Sequence, residues 1–122
     1  MLFIFAYKFF CFNGKVKFIQ VDKDRFTNHI RNFYTKDRPI EKLEDFEGLK
    51  IRVQESDMMA SMVEYLGGEP VKKPYSEVYS LLEKSEADGA ENNWPSYESM
   101  EHYEVAGYYT LDEHIRIPEL QI

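Results

Sequence analysis

The sequence is poor in the residues that crosslink a chain or bind a metal. Only one of its 122 residues is a cysteine, Cys11, which excludes a disulfide within the chain. The histidines are His29, His102 and His114; no two of them stand four residues apart, and none combines with Cys11 at a zinc-binding spacing. We therefore expect neither a metal site nor a cofactor.

The signatures of common enzyme classes are also missing. The chain has no phosphate-binding glycine loop, no GxSxG nucleophile turn and no cysteine–histidine motif. One acidic group resembles a catalytic centre: Asp88 and Glu91 are three residues apart, and Asp57 would join them around a magnesium ion. Carboxylates in a turn more often face solvent or cap a helix. For this reason a small metal-dependent α/β hydrolase is only the alternative interpretation of the function.

Basic charge is in short supply. Lysine and arginine number 15 against 22 acidic residues, for a net charge of -7. Binding to nucleic acid or to an anionic membrane surface needs a concentrated basic face, so we expect neither partner. A small anionic ligand is still compatible with this balance, because one or two local arginines override the global sign.

A long apolar run is absent as well. The most apolar stretch, residues 1–12, is shorter than the roughly 20 residues of a membrane span and is interrupted by Lys8. It has no basic leader and no small-residue cleavage site, so we identify no signal peptide and expect no direct membrane insertion. Asn13-Gly14 suits a tight turn, and residues 1–28 are interpreted as a hairpin or as a non-native start.

From about residue 40 the chain alternates between strand and helix patterns. Residues 49–54 alternate apolar and polar side chains, as in a half-buried strand. A helix is expected next, capped by Ser56 or Asp57 and ended by Gly67-Gly68. A second helix follows from Ser76, then a short strand at residues 87–90, and then a third helix from Pro95 towards Gly107. Alternation at these intervals predicts one α/β domain with a mostly parallel, short-stranded sheet and flanking helices.

Arg52 is the first candidate binding residue. It lies near the end of the strand pattern LKIRVQ, and ligands of parallel sheets bind beyond the carboxyl ends of the strands. A planar guanidinium there is suited to a bidentate pair with a ligand carboxylate. Taken alone, a strand arginine is more often exposed or paired with a neighbouring carboxylate.

The turn at residues 88–95, DGAENNWP, supplies the other candidates. Asn92 and Asn93 offer amide donors and acceptors to hydroxyls or a carboxylate, although asparagine is also a common turn and cap residue. Trp94 is the only tryptophan; a single tryptophan is more often a core residue than a ligand platform, but its place beside two asparagines makes it a candidate contact.

Five blocks of the sequence, in order, resemble one protein family. The segments RPI and LEDFEGLKIRV (residues 38–40 and 43–53) are similar to a segment of the solute-binding proteins of tripartite ATP-independent periplasmic (TRAP) transporters, the DctP-like family. The blocks YLGGEP, PYSEVY, DGAENNWPSY and HYEV follow in the same order, from residue 65 to residue 105. The resemblance covers about residues 29–122.

The resemblance implies a fold, a function and roles for three residues. Family members are periplasmic and have two α/β lobes of the periplasmic-binding-protein type (type II-like), of which this chain represents about one, as a fragment. They bind a small organic acid, such as a uronate, an aldonate or a C4-dicarboxylate, and deliver it to a membrane permease without covalent chemistry. By the resemblance Arg52 holds the ligand carboxylate, Arg31 is a second arginine near the hinge, and Asn92 completes the contacts. A nonfunctional product of a truncated gene is the remaining alternative.

Overall fold

A computed structural model describes residues 30–116, which form five strands, three short helices and three single 3-10 turns. The hairpin expected within residues 1–28 lies outside these described residues. The strands are β1 (Ile30–Thr35), β2 (Lys50–Val53), β3 (Glu69–Lys72), β4 (Gly89–Asn93) and β5 (Tyr108–Arg116). The helices are α1 (Asp57–Leu66), α2 (Val78–Glu83) and α3 (Trp94–Ser99), and the 3-10 turns are Leu43–Phe46, Tyr75–Glu77 and His102–Glu104. Within residues 30–116 no helix is long and apolar enough to cross a membrane.

The five strands form one mixed sheet in the order β3-β2-β4-β1-β5. As expected from the alternation of strands and helices, β2 pairs in parallel with both β3 and β4. The sheet is less uniformly parallel than the sequence predicted, because β1 lies antiparallel between β4 and β5. The α/β class is confirmed, and the single reversed strand makes the sheet mixed.

The strand directions bring distant parts of the chain to one edge of the sheet. The carboxyl ends of β2, β3, β4 and β5 lie together with the amino end of β1, and we refer to this as the carboxyl edge. Pairing of Arg31 with Asn93 on one side and with Ile115 on the other fixes the position of β1 there. The edge therefore receives residues from five separate segments of the sequence.

Apolar side chains cover both faces of the sheet. Phe33, Ile51 and Val53 pack on the face that α1 covers, in a cluster with Met59 and Val63. The opposite face carries a second cluster, built on α2, α3 and the aromatic residues of β1 and β5; it includes Tyr34, Val78, Leu82, Ala90, Trp94, Tyr97 and Tyr109. Burial on both faces explains why the short strands are stable, and it leaves the carboxyl edge as the place where polar side chains gather.

The element boundaries agree with the local sequence signals in part. Ser56 caps α1 by accepting a hydrogen bond from Met59, and Gly67 ends that helix in the left-handed conformation, with φ 97°. The second helix begins later than expected, since residues 75–77 form a 3-10 turn before α2. The third helix was predicted to continue towards Gly107, and this was wrong. It ends at Ser99, because Glu101 has a left-handed backbone with φ 55°.

Gly89 provides a test of the close approach between β4 and its neighbours. A Cβ atom at Gly89 would lie 2.6 Å from the Tyr34 carbonyl oxygen and 2.8 Å from Thr35 Cγ2. Since backbone cannot rotate away, we expect Gly89→Ala to lower the free energy of unfolding by about 3 kcal/mol, the upper part of the range for overpacking. Urea unfolding followed by Trp94 fluorescence measures it.

Gly48 is the control for Gly89. It has a left-handed φ of 73° but open space around its Cα. Gly48→Ala should therefore add only the strain of an alanine in that conformation, about 1 kcal/mol. Equal losses in the two variants would contradict the close contact at Gly89.

Candidate functional site

A cavity of about 490 Å³ opens at the carboxyl edge. Its volume is in the range of small-molecule sites. The described residues that line it are Arg31, Arg52, Gln54, Glu55, Pro74, Tyr75, Asn92, Asn93 and Ser96. Four of the five site residues predicted from the sequence are among them, and the other lining residues were not predicted. Trp94 is the predicted site residue that the cavity lining does not include.

Arg52 is a buried cation that forms no ion pair with any of the described residues. Its side chain is on β2, the residue is 2% exposed, and its Nε donates a 2.8 Å hydrogen bond to the Lys73 carbonyl oxygen. No carboxylate among residues 30–116 lies within salt-bridge distance of it. Burial lowers the pKa of Arg52 from its ordinary value, but an arginine remains charged at neutral pH. Its charge is therefore available to an anionic ligand in the cavity.

Arg31 differs because its charge is neutralised inside the protein. Its Nε and one terminal nitrogen each donate a 2.6 Å hydrogen bond to the carboxylate of Glu91, which is 0% exposed. Burial alone would lower the pKa of Arg31; the hydrogen bonds and charge of Glu91 outweigh burial and raise it. The pair crosses from β1 to β4, and its arginine lines the cavity together with Asn93.

His114 and Asp112 of β5 extend this pair into a chain of four groups. His114 Nε2 lies 3.2 Å from Glu91 Oε2, and its Nδ1 lies 2.6 Å from Asp112 Oδ2. Its ring also stacks on Phe33, with centroids 4.1 Å apart. Burial acts to lower the pKa of His114, but the two carboxylates raise it overall. The sequence suggested no partner for this histidine, because only the insertion of β1 between β4 and β5 brings these groups together.

The two asparagines have different surroundings. Asn92 is buried, its Oδ1 accepts a 2.8 Å hydrogen bond from the Asn93 backbone, and no residue among 30–116 accepts a hydrogen bond from its side-chain nitrogen. Asn93 Oδ1 caps α3 by accepting from the Ser96 backbone at 2.8 Å. Asn92 is therefore a donor facing the cavity, while the Asn93 side chain also has a structural role as a helix cap.

Trp94 is part of the core. It is 8% exposed, and its ring lies 5.4 Å from that of Tyr97 and 5.1 Å from that of Tyr109, measured between centroids. The structure therefore separates Trp94 from the other four candidate residues, because the first turn of α3 directs it under the sheet.

The acidic residues of the hydrolase alternative are dispersed. Asp57 pairs with Lys72 at 2.8 Å, Asp88 accepts a 2.9 Å hydrogen bond from the Lys50 backbone, and Glu91 binds Arg31. In the part of the chain that the structure describes, no three histidine, cysteine or carboxylate side chains are grouped as metal ligands. The geometry gives these carboxylates structural contacts and does not favour a hydrolase.

His102 is a buried neighbour of Tyr75, a residue that lines the cavity; their ring centroids are 6.0 Å apart. The histidine is fully buried, its Nδ1 is 2.8 Å from the Tyr34 hydroxyl, and its Nε2 has no hydrogen-bond partner among the described residues. Burial and the nearby charge of Arg52 lower the pKa of His102 to about 4. At neutral pH the imidazole is therefore uncharged, and it adds no second cation near Arg52.

Within residues 30–116, the carboxyl edge of the sheet therefore presents a buried cation and amide groups around a cavity of small-molecule size. The family model described as bacterial extracellular solute-binding protein, family 7 (DctP) matches residues 24–122. The chain belongs to this family, which confirms the resemblance seen in the sequence. Family members are transport proteins and not enzymes, which further disfavours the hydrolase.

The chain is similar to several solute-binding proteins that are longer than it is. A solute-binding protein of Chromohalobacter salexigens is 48% identical over 94 residues, which cover 77% of this chain and 28% of the relative. A TRAP periplasmic solute-binding protein of the same species, with bound D-glucuronate, matches with a TM-score of 0.70 and 48% identity over 71% of this chain and 29% of its own. A TRAP periplasmic solute-binding protein of Xanthobacter autotrophicus, with bound β-D-galacturonate, matches with a TM-score of 0.70 and 49% sequence identity. This match covers 73% of this chain and 30% of the other chain.

These matches confirm that the α/β unit is a single lobe. The chain spans under a third of the length of its relatives, and the matched part has the fold of one lobe of the periplasmic binding proteins.

The buried Arg31–Glu91 pair should contribute far more to stability than a surface pair. Glu91→Gln leaves Arg31 buried without a counter-charge, and we expect a loss of about 3 kcal/mol in the free energy of unfolding. Asp57→Asn is the control, since the Asp57 and Lys72 side chains are 95% and 49% exposed and solvent screens their charges; it should cost far less than Glu91→Gln. Urea unfolding compares them, and similar losses would disprove the assignment.

The two histidines should affect the pH dependence of stability in opposite directions. The pKa of His102 falls from 6.5 unfolded to about 4 folded, so its contribution is lost as pH decreases through this window. The pKa of His114 is raised, so its contribution is present below the unfolded value of 6.5 and is lost as pH rises through the folded value.

Variants of each histidine separate these contributions. His102→Gln should reduce the loss of unfolding free energy between pH 6.5 and pH 4 by about 1–3 kcal/mol. His114→Gln should reduce the decrease in unfolding free energy above pH 6.5. Urea unfolding at several pH values measures both. A pH profile that is unchanged by His102→Gln would show that Arg52 and burial do not keep this imidazole neutral.

Proposed function

We propose that this chain is the carboxylate-binding lobe of a TRAP-type solute-binding protein, which binds a small organic acid and delivers it to a membrane permease. The observation that carries the proposal is Arg52: a buried guanidinium that faces a cavity and has no counter-charge among the described residues. Buried charges in proteins are normally paired, so the missing anion is assigned to the ligand.

The surroundings of Arg52 support a carboxylate as that anion. The hydrogen bond from its Nε to the Lys73 backbone fixes the plane of the guanidinium and leaves both terminal nitrogens for bidentate pairing. The unused amide nitrogen of Asn92 lines the same cavity and provides a further donor. Arg31 also lines the cavity, but Glu91 already neutralises it. Arg52 is therefore the principal carboxylate contact, and Asn92 and Arg31 are secondary contacts.

A sugar acid fits the remaining polar groups. Gln54, Asn93 and Ser96 line the cavity with amide and hydroxyl groups that can exchange hydrogen bonds with ligand hydroxyls. The related structures that contain D-glucuronate and β-D-galacturonate are 48% and 49% identical to the chain. A uronate or aldonate is therefore the proposed ligand class, with C4-dicarboxylates as the second.

A single lobe encloses a ligand only in part, and this limits the affinity of the isolated chain. In a two-lobed protein the ligand is enclosed between the lobes, and the chain spans under a third of the length of its relatives. One lobe desolvates the ligand only in part and provides only part of its hydrogen bonds. We propose binding that is millimolar at best for the isolated chain, on the order of 4 kcal/mol. We also propose that the complete protein is periplasmic.

Ligand titration of the isotope-labelled chain tests this function. We expect D-galacturonate and D-glucuronate at millimolar concentrations to shift the amide resonances of Asn92 and Asn93 in NMR spectra. Arg52→Gln should abolish these shifts, because among residues 30–116 it removes the one uncompensated cation that lines the cavity. Arg38→Gln is the matched control: Arg38 is exposed and contacts backbone carbonyls at Asp45 and Glu47, away from the cavity.

Three outcomes would contradict the proposal. If the folded chain shows no shifts with any of these acids, or equal shifts with and without the Arg52 guanidinium, Arg52 does not hold the ligand. Micromolar affinity of the isolated chain would contradict the proposal that one lobe binds weakly.

A further inference from the structure

Among the described residues that line the cavity, one has an anionic side chain, Glu55. Glu55 follows the end of β2 by two residues, is exposed and lines the cavity. Within residues 30–116 no hydrogen bond or ion pair engages its carboxylate. It therefore faces the cavity as an available anion.

The cations near Glu55 in the fold already have other partners. Lys72, at the end of β3, binds Asp57 at 2.8 Å, and the next residue, Lys73, pairs with Glu77 at 3.4 Å. Neither lysine neutralises Glu55. Because Glu91 cancels the charge of Arg31, two uncompensated charges remain among the described residues that line the cavity, one positive on Arg52 and one negative on Glu55.

These two charges lie at different depths. Arg52 is buried in the floor of the cavity, whereas Glu55 is exposed and therefore lies at its rim. A guanidinium can only donate hydrogen bonds, and an ionised carboxylate can only accept them. The cavity therefore presents hydrogen-bond donors at its floor and a hydrogen-bond acceptor at its rim.

A ligand that matches this polarity has unlike ends. A carboxylate at one end accepts hydrogen bonds from Arg52, and hydroxyl groups at the other end donate to Glu55. A second carboxylate at the rim would have no proton to donate to Glu55, and it would place like charges together. Water screens this repulsion at an exposed position, but it does not remove it.

We propose that Glu55 is a specificity-determining residue, which makes the site select acids with one carboxylate and a hydroxylated remainder over acids with two carboxylates. This inference rests on the proposed function of Arg52 and extends it, since it selects between the two ligand classes proposed above. An uronate or aldonate then satisfies both ends of the cavity, whereas a C4-dicarboxylate or an aldarate satisfies only its floor.

The sharpest test compares two ligands that differ at a single carbon. D-galactonate and galactarate have the same six-carbon hydroxylated skeleton, and only galactarate has a carboxylate at both ends. We expect the wild-type chain to bind galactonate more tightly, in NMR titrations at low ionic strength. Glu55→Gln should change the ratio of the two dissociation constants by about threefold to fivefold in favour of galactarate, which is the size expected for one exposed charge pair. The change should shrink at high salt.

Glu64→Gln is the matched control, because Glu64 is an exposed glutamate on α1 that does not line the cavity. It alters the net charge of the chain by the same amount as Glu55→Gln. A change of the ratio in the Glu55 variant alone supports the proposal. An unchanged ratio in the Glu55 variant, or the same change in both variants, overturns it.

The failure of the proposed function gives a different result. In that case neither acid produces shifts that depend on Arg52, so no ratio exists to compare. If both acids bind through Arg52 and only the effect of Glu55 is missing, the carboxylate-binding function stands and the selectivity role of Glu55 is rejected.

Discussion

The ion pair between Arg31 and Glu91 joins the first and fourth strands of the sheet and gives the carboxyl edge its charge balance. Both groups are buried, and their two 2.6 Å contacts satisfy the guanidinium and the carboxylate together. A buried charge is tolerated only with such a partner, so the pair also specifies the register in which β1 lies beside β4. A shift by one residue would move Arg31 to the opposite face of the sheet, away from Glu91.

Because Glu91 neutralises Arg31, Arg52 remains available for the proposed contact with a ligand carboxylate. Arg31 and Arg52 line the same cavity, and the charge of Arg31 acts to lower the pKa of Arg52. Two unpaired cations there would repel each other and would both require counter-ions. Pairing Arg31 internally leaves a single uncompensated charge, which a single ligand carboxylate can match. Natural proteins break local stability rules in this way mainly at functional positions.

The sequence predicts the parts of this arrangement that depend on local order. Alternating side chains predict β2, and Ser56 and Gly67 set the limits of α1, since caps act within a few residues. Position at the end of β2 was enough to make Arg52 a candidate. The contact of His114 with Glu91 could not be predicted, because it depends on strand pairing over 23 residues and on the insertion of β1. Strand β1 was missed because it is buried on both faces and shows no alternation.

Tyr34 and His102, two buried groups near Arg52, are polar but uncharged, and they therefore leave the charge of Arg52 unneutralised. Tyr34 and His102 form a 2.8 Å hydrogen bond, and burial keeps both neutral by raising the pKa of Tyr34 and lowering that of His102. A carboxylate in their place would stabilise the lobe by pairing with Arg52, but it would compete with the ligand for the same guanidinium. A wholly apolar layer would leave the cation without nearby dipoles. A neutral tyrosine–histidine pair places dipoles near the charge without neutralising it, which leaves the guanidinium available to the proposed ligand.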